Sequence, residues 1–222
     1  MPLERRARWL QATTRGILAG LGINFEVDGQ LPGCGLIVSN HLSYLDILLI
    51  SAATPCFFVA KSEIGHWPFF GWAARRGGTI FLKRASMASA NAAAGEIYDR
   101  LALSVPVLLF PEGTSTDGAQ VLRFHSRLIA PAVAAGAPIT AAAIRYEIEG
   151  GEAERELCWY GDATLLPHLW KALGGSGFTA RIHFGEPRIY ADRREAADRT
   201  HAEITAWREA GKPALEMVGA AD

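Results

Sequence analysis

Leu36-Ile37-Val38-Ser39-Asn40-His41-Leu42-Ser43-Tyr44-Leu45-Asp46-Ile47-Leu48-Leu49-Ile50 is the stretch on which the fold turns. Its first three residues form a short apolar run that predicts a buried strand. Its last four are apolar again and predict a helix starting directly after a polar turn. A histidine at a strand's end, five residues before an aspartate in a helix's first turn, has the makings of a base with its orienting carboxylate. In that chemistry His41 takes a proton from a hydroxyl while Asp46 holds the imidazole in the required tautomer. A second reading stands beside it. Ser43 and Asp46 have the spacing of a capping box, with Asp in place of the usual Glu or Gln, and an acid there suits the helix dipole. His41 is then a polar turn residue.

Outward from this stretch, strands and helices alternate. Residues 3–22 predict a helix with Leu3, Ala7, Leu10, Ile17 and Leu21 near one face and Arg5, Arg8 and Arg15 on another. Such a helix can lie in a membrane interface or pack on the domain's own core. Short strands are expected at 24–28 and 35–39, and the helix after His41 at 44–53. Further strands are expected at 56–60, 79–82, 105–110, 138–146, 157–160 and 178–184. Helices are expected from Trp67, over 87–103, 126–135 and 165–173, and as a charged, exposed segment over 192–210. The alternation predicts an α/β fold: a mixed, largely parallel sheet flanked by helices, with an N-terminal amphipathic helical appendage. The expected organisation is an interface helix over 1–24, one domain over 25–212 and a tail over 213–222.

Composition narrows the function. The chain has 222 residues, 50% hydrophobic and 20% charged, which suits one domain with a substantial core. A net charge of −1 gives no global sign of nucleic-acid binding. Cys34, Cys56 and Cys158 are scattered and odd in number, so no disulfide framework or zinc pattern follows. The six histidines contain no HExxH, and no metal site is expected. No transmembrane span is expected either. The longest apolar run, 128–144, holds Pro131, Gly136 and Pro138 and reads as a helix, a turn and a strand. A G-x-S-x-G elbow and a Walker lysine motif are both lacking, which disfavours an α/β-hydrolase and a P-loop enzyme.

Three other predicted strands also end in polar residues: one in Lys61, one in Lys83-Arg84, and one in Glu112-Gly113-Thr114-Ser115. Ligands in open α/β folds sit beyond the carboxyl ends of strands. If these strands run alike, a base, several cations and a hydroxyl-bearing loop face one crevice. That set suits a substrate with a nucleophilic hydroxyl and an anionic group. Each member taken alone also reads as a solvated strand end or a turn.

The ordered motifs carry a resemblance. Asn40-His41-x4-Asp46 looks like the first motif of the glycerolipid acyltransferases typified by lysophosphatidic acid acyltransferase. Gly78-Thr79-Ile80-Phe81-Leu82-Lys83-Arg84 resembles their second motif, Phe110-Pro111-Glu112-Gly113-Thr114-Ser115 their third, and Gly136-Ala137-Pro138-Ile139-Thr140 their fourth. Val59-Ala60-Lys61-Ser62-Glu63 is similar to a lysine-bearing segment between the first two. The chain departs from the pattern at Lys83, where an acid is frequent, and at Ala141 and Ala142, where a second proline is frequent. Phe124-His125-Ser126 differs from the lysine-rich version of many phosphatidate-forming members.

The resemblance implies an O-acyltransferase of phospholipid biosynthesis. His41 and Asp46 would be catalytic. Lys61, Lys83, Arg84, Glu112, Gly113 and Thr114 would bind the acceptor. Acyl-CoA or acyl carrier protein would bring the acyl group as a thioester co-substrate, with no bound cofactor. Backbone amides near the helix start, or another donor, would hold the oxyanion. The implied reaction is 1-acylglycerol-3-phosphate O-acylation. Acylation of lyso-ornithine lipid by the same family stays open, as does a non-catalytic lipid-binding role. The implied location is peripheral or monotopic at the cytoplasmic face of a membrane.

Overall fold

The computed structural model describes residues 1–67, 70–82, 87–148, 154–174 and 178–210. In chain order the elements are α1 (Leu3–Gly20), β1 (Asn24–Gly29), β2 (Leu36–Ser39), α2 (Leu45–Ala53), β3 (Phe57–Lys61), α3 (Phe70–Gly77), β4 (Ile80–Leu82) and α4 (Met87–Leu101). They continue with β5 (Val107–Leu109), α5 (Ser126–Ala134), β6 (Ile139–Ile148), α6 (Leu165–Gly174), β7 (Phe178–Phe184) and α7 (Arg193–Ala210). The sheet order is β1-β7-β6-β2-β5-β3-β4. Every pairing is parallel except β6 with β7. The sheet is therefore mixed and largely parallel, as the alternation predicts.

Alternating side chains supply both faces of this sheet. On β2, Ile37 joins the core under α1 and α2, while Leu36 and Val38 join the core on the opposite face. On β6, Ala142, Ile144 and Tyr146 face the first core, and Ile139, Ala141 and Ala143 the second. The short apolar runs read as buried strands because they have a core on each side. Gly35 fixes where β2 enters: its φ is +83°, and a Cβ there would lie 2.1 Å from the Pro138 carbonyl oxygen. That close approach lets Leu36 N–H donate to the Pro138 carbonyl at 2.9 Å and start the β2–β6 ladder.

Two expectations need correction. Residues 157–160 are not a strand. Glu154–Leu157 form a single 3-10 turn, and the chain then runs across the first core, where Trp159 N–H donates to the Leu42 carbonyl at 2.8 Å. The apolar residues that suggested a strand fill a wall instead. The charged segment over 192–210 is a helix, but Ala196, Ala197, Thr200, Ile204 and Arg208 are buried. Its inner stripe is short enough to escape notice among the charges. The expected N-terminal helix is present, and it packs on the domain. Ala7, Leu10, Thr14 and Leu18 of α1 are buried, and Gln11 and Arg15 donate to carbonyls at the carboxyl end of α2. Residues 211–222, which include the expected tail, lie outside the described residues.

Candidate active site

Parallel β2, β5 and β3 lie side by side, so their carboxyl ends open on one edge of the sheet. His41 follows β2, Glu112 follows β5 and Lys61 ends β3, spanning about 10 Å at ordinary strand spacing. The strand ends carrying these three residues therefore lie on one edge of the sheet, as expected. Lys61 is exposed at its rim, as is Thr114. Lys83 and Arg84, which follow β4, lie outside the described residues.

The turn after β2 is built around Asp46. Its carboxylate is fully buried, and its Oδ2 accepts the Leu42 N–H at 2.7 Å and the Ser43 N–H at 3.0 Å. The same oxygen pairs with His41 Nδ1 at 2.8 Å. The carboxylate requires a proton on Nδ1, which leaves the Nε2 lone pair as the acceptor. One carboxylate thus meets both His41 Nδ1 and the Ser43 N–H, so the two readings do not compete, although Ser43 Oγ faces the Leu45 N–H at 3.4 Å rather than the Asp46 N–H of a full capping box. His41 Nδ1, the backbone and the N-terminus of α2 all offset the penalty of burying that charge.

The imidazole has little freedom. Phe110 stacks on it with centroids 4.1 Å apart and planes 18° from parallel. Its backbone is held at both groups: His41 N–H donates to Glu112 Oε1 at 2.8 Å, and Thr116 N–H donates to the His41 carbonyl at 2.9 Å. Asn40 adds a third tie. Its side-chain amide donates to the Ile144 carbonyl at 3.1 Å and accepts the Ile144 N–H at 2.9 Å, extending the β2–β6 pairing one residue past the strand.

Glu112 stands at the site with its carboxylate turned inward. Its Oε2 accepts the Leu122 N–H at 2.8 Å, so both oxygens serve backbone amides. Burial pushes this carboxyl up to about 7, with the two amides and His41 pulling the other way. Gly113 follows in the left-handed region at φ +73°, against the ring of His125, and turns the chain over the site.

The backbone amides nearest the imidazole already have acceptors. The N–H groups of His41, Leu42 and Ser43 are already committed to Glu112 and Asp46. Of the two sources expected for an oxyanion donor, these three amides are taken, which leaves the other donor.

An apolar cavity opens beside His41, with a volume of about 740 Å³ when its solvent-open mouth is included. Tyr44, Ile47, Leu48 and Ser51 give it one helical stripe of α2, about 10 Å long. Leu10 of α1, Phe58 of β3, Phe70 of α3, Trp67 and Trp159 close other sides. Burial pushes the Tyr44 phenol up to about 12 and holds His168 below its ordinary value. The Tyr44 hydroxyl and His168 Nδ1 meet at 3.1 Å. The cavity escaped the sequence reading, although the Trp67 and Phe70 cluster was its trace.

A family profile described as Acyltransferase matches residues 23–145. The chain belongs to this acyltransferase family. It is 35% identical over 188 residues to the lyso-ornithine lipid O-acyltransferase of Pseudomonas aeruginosa, covering 84% of this chain and 71% of that protein. It is 34% identical over 199 residues to the 1-acyl-sn-glycerol-3-phosphate acyltransferase of Neisseria meningitidis serogroup B, covering 88% of this chain and 76% of that one. The crystal structure of PlsC, the 1-acyl-sn-glycerophosphate acyltransferase of Thermotoga maritima, superposes with a TM-score of 0.69 at 21% identity, over 92% of this chain and 78% of that one. That likeness shows a shared fold. An O-acyltransferase is thus what the ordered motifs implied and what the family match gives.

Glu112 leads to a first prediction. Its carboxyl is raised on folding, so the protonated form folds more readily than the ionised one. The contribution is fully present below the unfolded value of 4.5 and is lost as pH rises through about 7. Its size is on the order of 3 kcal/mol. Thermal unfolding of wild type and Glu112→Gln is therefore compared between pH 4.5 and 8. The difference in Tm should shrink as pH rises. A constant difference would mean that Glu112 ionises alike in both states.

Proposed function

We propose that the protein transfers an acyl group from an acyl thioester, acyl-CoA or acyl carrier protein, to the free hydroxyl of a lysophospholipid. 1-Acylglycerol-3-phosphate is the proposed acceptor. The observation that carries this reading is the His41–Asp46 pair at the mouth of an apolar cavity. The acceptor hydroxyl gives its proton to Nε2 as its oxygen attacks the thioester carbonyl. Asp46 stabilises the imidazolium, which then returns the proton to the departing thiolate as the tetrahedral intermediate collapses. The cavity takes an alkyl chain out of water and fixes the reacting carbonyl beside the base. Lys61, Lys83, Arg84, Gly113 and Thr114 are the proposed contacts to the headgroup and glycerol, while Glu112 shapes the loop that carries two of them.

Lyso-ornithine lipid is the second acceptor, favoured by the similarity to the Pseudomonas aeruginosa protein. Mass spectrometry of the lipid formed when purified protein receives acyl-CoA and a panel of lysolipids decides between them. Phosphatidic acid should appear. Product from lyso-ornithine lipid alone would defeat the phosphate acceptor and keep the enzyme class. No product with any donor would favour lipid binding without catalysis.

Both substrates are amphiphiles, so we place the reaction at a membrane surface, on the cytoplasmic side where acyl thioesters occur. No helix among the described residues is long and apolar enough to cross a bilayer. The candidate contact is the outer side of α1 and α3. Ile17, Leu21 and Trp72 are exposed there, and Trp9 meets Trp72 edge-on at 5.7 Å with Arg76 over its ring. Arg5 and Arg8 are exposed on α1. Each basic residue near an anionic surface contributes about 1 kcal/mol. Arg5→Glu with Arg8→Glu should therefore weaken binding to phosphatidylglycerol vesicles roughly tenfold or more, with a smaller loss in high salt. Unchanged sedimentation with vesicles would mean that this helix face does not meet the bilayer.

A further inference from the structure

Asp46 is gripped from two directions. Its Oδ2 serves His41, Leu42 and Ser43, all within its own turn. Its Oδ1 accepts the hydroxyl of Tyr146, which arrives on β6. Tyr146 is buried, its ring set edge-on against Phe178 at 5.3 Å. Its backbone N–H donates to Glu154 Oε1 at 2.8 Å, and Arg208 of α7 holds the other oxygen of Glu154 at 2.7 Å. A phenol anchored by ring, backbone and a partly buried ion pair has little room to leave the carboxylate. Burial first, and then the charge of Asp46, push it well above the ordinary tyrosine value, so it stays a donor across any assay range.

We propose that Tyr146 is a positioning residue for the base: through Asp46 its hydroxyl sets both the orientation and the proton affinity of His41. This rests on the reading of His41 as the general base. A donor on the far oxygen stabilises the carboxylate's charge and so weakens its pull on the imidazolium proton. It also fixes the carboxylate plane, and with it the direction of Nε2. Without the hydroxyl, the carboxylate turns more freely and holds the imidazolium more firmly. Fewer enzyme molecules then carry a free Nε2 at a given pH.

Other ionisable groups face this pair. Glu112 lies beside His41 from the β5 side, and Cys158 and Glu154 lie beside Tyr146, with Arg208 behind them. All are unchanged in Tyr146→Phe, so comparison with wild type isolates the hydroxyl.

The test is the pH profile of kcat/KM for Tyr146→Phe, alone and with Asp46→Asn. In the single variant kcat should fall roughly tenfold, with KM for both substrates within about twofold. The acid limb should move to higher pH by about 0.5 unit or more. In the Asp46→Asn background the same change should cost much less rate and leave the acid limb in place, since the carboxylate charge it acts on is gone. An unmoved acid limb, or an equal loss in both backgrounds, overturns the proposal and leaves Tyr146 a core residue. Fluorotyrosine at position 146 keeps the shape with a stronger donor and should move the limb the opposite way, which covers a phenylalanine variant that does not fold. The His41 ring signals followed by NMR against pH report the coupling without turnover. A curve displaced upward in Tyr146→Phe, in a protein that transfers no acyl group, supports the coupling and defeats the acyltransfer reading. An undisplaced curve in an active enzyme defeats the coupling alone.

Discussion

His41→Ala is expected to lower acyl-transfer turnover by roughly 10³-fold, within the range a general base contributes, while the protein stays folded. The rate argument is local. Nothing else in the turn offers a lone pair where Nε2 stands, because the neighbouring backbone amides are donors already bound to Asp46 and Glu112. The folding argument is also local. The backbone grip on residue 41, from Glu112 and Thr116, does not involve the imidazole. Asp46 keeps the Leu42 and Ser43 amides and the Tyr146 hydroxyl, so its buried charge remains compensated. Loss of one hydrogen bond and one ring stack should lower stability by about 1–2 kcal/mol. KM should change little, because the cavity and the strand-end cations are untouched. Residual turnover reflects positioning of the two substrates. Single-turnover measurements with folded protein, checked by circular dichroism, are the measurement. Turnover within a few-fold of wild type would remove His41 from the mechanism.

The parts of this site close together in sequence were legible; the parts joined by folding were not. The β2–His41–α2 unit could be read because an apolar run, a polar turn and a second apolar run are local signals. The shared edge of β2, β3 and β5 was expected from strand–helix alternation, which favours parallel pairing, although β6 and β7 pair antiparallel across α6. Tyr146 could not be found that way, as it lies 100 residues from Asp46. One weak signal existed. A tyrosine in register with Ala142 and Ile144 on a buried strand needs a partner for its hydroxyl. Glu112 shows a different limit. Its place after β5 was readable, but sequence does not tell whether a carboxylate at a strand end points out to a ligand or back to the turn. The apolar stretch at 157–160 was misread because a strand and a cavity wall draw on the same residue types.

The second large effect is expected from Asp46→Asn. The amide keeps the size of the carboxylate but has one acceptor oxygen and one donor nitrogen. If the oxygen stays with the Leu42 and Ser43 amides, the nitrogen faces the Tyr146 hydroxyl. That hydroxyl must then accept, and its proton has to find a new partner inside the core. If the amide flips, two backbone donors face a third donor. The first arrangement is the cheaper one, and it lowers stability by about 1–3 kcal/mol. Its oxygen can still accept from Nδ1, so the imidazole keeps its tautomer. What vanishes is the negative charge that opposes the imidazolium formed as the hydroxyl is deprotonated. In a site closed by Phe110 and a buried turn, that charge is poorly replaced by water. Turnover should fall roughly 10²–10³-fold with KM nearly unchanged, the pattern of an interaction gained in the transition state. Asp46→Ala should be worse in another way: it strands two backbone amides and a phenol, and it should fail to fold or melt far lower. Pre-steady-state rates and melting curves for the two variants separate charge from packing. If Asp46→Asn turned over like wild type, the carboxylate would be a cap for α2 and no part of the base.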